Sequence, residues 1–140
     1  MKKYIALLLI IILIVCVYFF QFNKEILVAQ YLAEDDQWHY MITITQDNKG
    51  QYHTDCELDY TGATVYKNAE LEAEIVYFHS ANSGSKDTLS NWNSEENYHL
   101  RSFAHHAIHP AYTVLDFLTP NYCIISVDEK KTILKFQIVK

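Results

Sequence analysis

The chain has 140 residues, with 17 acidic and 11 basic side chains and a formal net charge of −6. All the acidic residues follow Asn23, where they face only nine basic ones, and this acidic balance excludes a nucleic-acid partner. Eleven tyrosines against three glycines and two prolines describe one ordered β-type domain and exclude a long flexible tail.

The first element is apolar. Residues 4–20 carry no charge, and Gln21 and Phe22 extend the run to nineteen before Asn23 and Lys24. As a helix this measures about 28 Å, close to the hydrocarbon thickness of a bilayer. Tyr4 at one end and Tyr18, Phe19, Phe20 and Phe22 at the other suit the interfacial positions of aromatic rings. A cleaved signal peptide is the main competitor, but it needs a shorter apolar region followed by small residues. Ala29 has Leu27 two places before it and Ala33 has Tyr31, which makes poor cleavage sites. A lipoprotein reading of residues 13–16, with Cys16 acylated, meets the bulky Val15 and an apolar run that continues past it. Lys2 and Lys3 precede the run, whereas Glu25, Glu34, Asp35 and Asp36 outnumber Lys24 after it. Basic residues stay cytoplasmic, so residues 1–23 are expected to be a single-pass transmembrane anchor, with its helix at about 4–22. The N-terminus is then cytoplasmic and the rest lies outside the cell membrane.

Residues 24–33 are good helix formers and predict a juxtamembrane stalk over 24–36. From residue 37 to 140 the pattern is that of strands. Trp38, Tyr40, Ile42 and Ile44 alternate with polar neighbours, and Asp47-Asn48-Lys49-Gly50 supplies a turn. Tyr52, Thr54, Cys56, Leu58 and Tyr60 then alternate with His53, Asp55, Glu57 and Asp59. Thr61-Gly62 ends this hairpin. Leu71, Ala73, Ile75 and Tyr77 mark a third strand, residues 80–94 read as a polar loop, and residues 112–118 are the best strand candidate in the weaker stretch 100–118. A final hairpin pairs residues 122–127 with 132–139 through Asp128-Glu129-Lys130-Lys131. Short strands at this spacing predict an antiparallel sandwich or barrel.

The order of features resembles the small exported or membrane-anchored Ig-like β-sandwich domains of Gram-positive bacteria. The similar parts are the opening Trp38-x-Tyr40-x-Ile42, the Leu58-Asp59-Tyr60-Thr61-Gly62 ending, Glu74-Ile75-Val76-Tyr77 and the closing hairpin. The resemblance implies a mainly β, antiparallel Ig-like β-sandwich after one transmembrane helix. It also implies a binding module without catalytic residues, whose partner is an envelope protein or wall component. Cys56 and Cys123 both fall on apolar strand faces, similar to the inter-sheet bridge of immunoglobulin domains, and an extracytoplasmic domain permits a disulfide. Two separate buried thiols are the alternative.

His105-His106-x-x-His109 is the one metal-like cluster, with spacing that suits Zn²⁺ or Cu²⁺. Its glutamate-free spacing lacks the HExxH base, Pro110 follows at once, and the fourth ligand would have to be His99 or Asp116. A metal-binding or metal-sensing domain is therefore the first alternative function, and a hydrolase with an unrecognised site the second. No other cofactor is expected. The acidic residues Asp55, Glu57, Asp59, Glu70, Glu72 and Glu74 offer carboxylates for Ca²⁺, although such alternation ordinarily marks solvated strand faces. Serine nucleophile motifs and glycine-rich phosphate loops are absent from the sequence.

Overall fold

The computed structural model describes residues 2–22, 25–77, 85–103 and 119–140. The uncharged run forms helix α1 (Lys2–Phe22). Its side chains over residues 4–19 are all exposed, so none of them is buried against the rest of the chain. Among the described residues, no helix is long and apolar enough to cross a membrane.

Period-two alternation then builds the sheets. Strand β1 (Ile26–Glu34) pairs antiparallel with β2 (Trp38–Gln46), and β2 pairs with β3 (Tyr52–Tyr60) without a register break. The Asp47 carboxylate fixes the β2–β3 turn by accepting the backbone N–H groups of Lys49 and Gln51, each at 2.8 Å. Gly50 closes the turn at φ +77°, a conformation that favours glycine. Strands β4 (Ala69–Tyr77), β5 (Ser85–Trp92), β6 (His99–Arg101), β7 (Pro120–Val127), β8 (Lys130–Lys135) and β9 (Gln137–Ile138) follow among the described residues.

The strands form two antiparallel sheets. One has the order β6-β3-β2-β1-β9 and the other β5-β4-β7-β8. Their apolar faces meet in one core that includes Tyr40, Ile42 and Leu58 from the first sheet and Leu71, Ile75 and Ile125 from the second. The last strand changes sheets at Phe136: Lys135 pairs with Tyr122 on β7, and Gln137 with Leu32 on β1. Phe136 itself is buried and donates its backbone N–H to Asn121. The sheets thus share a hydrogen-bonded corner.

Aromatic rings fill the end of the core opposite Ile26 and Gln46. Trp38 stacks on Trp92 at 5.7 Å and Trp92 on Tyr66 at 5.6 Å, while Tyr60 meets Trp92 edge-on. The Trp92 indole N–H donates to Asn97 O, so this buried polar group is satisfied.

Three expectations need correction. The stretch expected as a stalk is largely β1, the strand between β2 and β9. Ala29 and Ala33 are buried on its inner side, and pairing on both edges outweighs the helix propensity of Ala, Leu and Gln. Much of the expected loop 80–94 is β5, an edge strand whose Lys86, Asp87 and Thr88 are solvated, so it shows no apolar alternation. The final hairpin turns on two residues, not four: Asp128 and Glu129 both have positive φ, and Val127 pairs with Lys130. The strand expected at 112–118 lies outside the described residues.

Candidate functional site

Of the expected metal ligands, His105, His106, His109 and Asp116 lie outside the described residues. His99 is placed on β6. Among the described residues, no three His, Cys, Asp or Glu side chains gather as a metal ion would require.

Cross-strand register brings other groups together on the outer face of the β6-β3-β2-β1-β9 sheet. Glu34 is opposite His39, His39 opposite Asp59, and Asp59 opposite His99, so carboxylate and imidazole alternate across four strands. His39 bonds Glu34 at 3.2 Å, and His99 Nδ1 bonds Asp59 Oδ1. Arg101 donates to His99 Nε2 and pairs with Glu57, each at 3.4 Å. Sequence reading sees only an alternating acidic strand here. The partner of each carboxylate follows from register between strands distant in the chain, which the sequence does not display.

The six acidic residues do not form one face. Asp55, Glu57 and Asp59 lie on the outer side of β3, whereas Glu70, Glu72 and Glu74 lie on β4 in the opposite sheet. Glu72 is held by Lys86 at 2.7 Å.

Cys56 on β3 and Cys123 on β7 are buried in the same core from opposite sheets, and both are free thiols. Burial pushes the Cys56 thiol up to about 12. Burial also raises Cys123 and Tyr40 well above their ordinary ranges. Neutral, enclosed groups of this kind suit packing rather than nucleophilic chemistry.

Among the described residues, surface cavities open along the β6-β3-β2-β1-β9 sheet. One, of about 390 Å³, follows the β1–β9 edge between Leu32, Glu34, Lys135 and Ile138. Another, of about 230 Å³, lies at the end where the chain arrives from α1 and is lined by Glu25, Asp47, Asn48, Lys49 and His53. Glu25, Asp47 and His53 are held by hydrogen bonds. Thr45 donates to Glu25 at 2.8 Å, and His53 Nε2 lies 3.1 Å from Asp47 Oδ2. The His53 hydrogen bond, with backbone N–H groups of Gln51 and Lys49, holds the Asp47 carboxyl below its usual range. In the sequence, Asp47, Asn48 and Lys49 read only as a turn, His53 as a solvated strand position and Glu25 as an acidic residue flanking the anchor.

Compared with protein-family models, with curated proteins and with solved structures, the chain matches none.

Proposed function

We propose that this protein is a non-enzymatic binding module held at the outer face of the cell membrane by α1, where it contacts another envelope protein or a wall component. The observation that carries this reading is the character of α1. The side chains of residues 4–19 are uncharged and overwhelmingly apolar around the full circumference, and all are exposed. A helix apolar all round is ordinarily buried in a large core or in lipid, and the sandwich covers none of these side chains. Residues 4–19 alone measure about 24 Å as a helix, short of the hydrocarbon core. The uncharged sequence runs on through Phe22, which brings the length to about 28 Å.

Strand order supports an Ig-like assignment of the sandwich. Counted from β2, the first, second and fifth strands share one sheet, and the third, fourth, sixth and seventh share the other. Immunoglobulin-type sandwiches place A, B, E and D against C, F and G, with C′ joining the latter in variable-type domains; strand D has no counterpart among the described residues. Strand β1 is an addition beside the first of these. The resemblance to exported Ig-like domains extends the same reading.

Alkaline carbonate extraction of membranes carrying the full chain tests the tether. The chain is expected in the pellet, and a form with Ile10→Arg and Leu13→Arg in the soluble fraction. Release of the unaltered chain would remove the basis of the proposal.

A further inference from the structure

We infer that the cavity lined by Glu25, Asp47, Asn48, Lys49 and His53 binds the phosphoethanolamine headgroup of a membrane lipid. The inference rests on the membrane tether proposed above.

Position is the first argument. Glu25 follows Phe22, the last residue of α1, by three residues. Three residues of chain reach at most about 11 Å. If α1 lies in the bilayer, the cavity is held at headgroup depth. Residues Ile26 and Leu27, which begin β1 beside it, are themselves exposed and apolar.

Chemistry is the second argument. A phosphoethanolamine presents a primary ammonium and a phosphate a few bonds apart. The cavity offers the matching pair: Glu25 and Asp47 carboxylates for the ammonium, and the Lys49 ammonium for the phosphate. Asp47 is kept ionised by its hydrogen bonds to His53 and to the turn backbone. Glu25 is oriented by the Thr45 hydroxyl. Phosphatidylglycerol lacks the cation. Phosphatidylcholine has one but no N–H to donate, so charge-assisted hydrogen bonds to the carboxylates distinguish the two amines.

The test uses the full chain in detergent micelles, titrated with short-chain phosphatidylethanolamine, phosphatidylcholine and phosphatidylglycerol while backbone amide shifts are followed. Saturable shifts confined to residues 25–27 and 45–53 are expected with the ethanolamine lipid, at an apparent affinity at least about tenfold tighter than with the other two. Glu25→Gln and Lys49→Ala should each weaken that binding. The Asp47 side chain is left intact because it holds the turn. Free phosphoethanolamine forms a separate arm: equal binding of the free compound would show that the headgroup alone, and not the bilayer lipid, is recognised, and would overturn the membrane-lipid assignment. Indifference to headgroup, or a response unchanged by Glu25→Gln, would overturn the site while carbonate extraction still reports the tether. Release by carbonate would overturn both.

Discussion

The Tyr40 hydroxyl on β2 donates to the backbone carbonyl of Phe103 across 63 residues of sequence, at 2.6 Å. The same side chain is buried in the core, so one phenol ties the segment just after the short β6 strand to the centre of the sandwich. Tyr40→Phe keeps the ring but leaves the Phe103 carbonyl without its donor. A loss of about 1–3 kcal/mol is expected, read from the urea midpoint of the full chain in detergent. An unchanged midpoint would show that the bond contributes nothing.

Trp92 stands at the centre of the aromatic cluster, touching Trp38, Tyr60 and Tyr66. Trp92→Ala should cost about 3–5 kcal/mol, a large share of the stability of a domain this size. Trp92→Phe preserves a stacking ring and loses mainly the N–H donated to Asn97. It should therefore fall well short of the alanine loss in the same denaturation experiment, and equal losses would mean that ring packing is not what Trp92 provides.

The β7–β8 turn contains a residue that can be improved. Glu129 sits at φ +70°, where a side chain is strained. Glu129→Gly should raise stability by about 0.5–1 kcal/mol, seen as a higher thermal midpoint. Asp128 shares the positive φ, but its Oδ1 accepts the Glu70 N–H at 2.8 Å, so Asp128→Gly should bring no such gain. Stabilisation by the second change and not the first would contradict this account of the turn.

Much of the fold was legible because its strands expose one face and bury the other. Trp38 to Ile44 and Cys56 to Tyr60 alternate in the sequence as they do in the structure. Strand β1 was not legible, since its inner residues Ala29, Tyr31 and Ala33 are also acceptable on a helix and only pairing with β2 and β9 decides between the two. Edge strand β5 buries little more than its ends, Ser85 and Trp92, and so carries no periodic signal. The site residues were hidden for another reason. Glu25 and His53 are neighbours only because Thr45 bridges β1 and β3 through the sheet.

The two core cysteines give a pH-dependent prediction. Burial holds the Cys56 proton up to about 12 against an ordinary 9.0. The raised value means that the stability it contributes is complete below about pH 9 and is lost as pH rises from there towards 12, because the unfolded thiol ionises first. The urea midpoint should therefore decline across that range. At pH 8 without reductant, iodoacetamide should spare Cys56 and Cys123 in the native chain and modify all three cysteines once it is denatured. Modification of Cys16 alone after denaturation would instead reveal a bond between the other two.

The tether is the claim on which the functional reading depends, and labelling of intact cells with a membrane-impermeant amine reagent tests it most directly. With the full chain expressed in a bacterium whose outer layers have been removed, Lys86, Lys131 and Lys135 should be modified before lysis, while Lys2 and Lys3 become reactive only after it. Labelling of all five only after lysis, or recovery of a labelled chain lacking residues 1–23, would contradict an uncleaved anchor that leaves the sandwich outside.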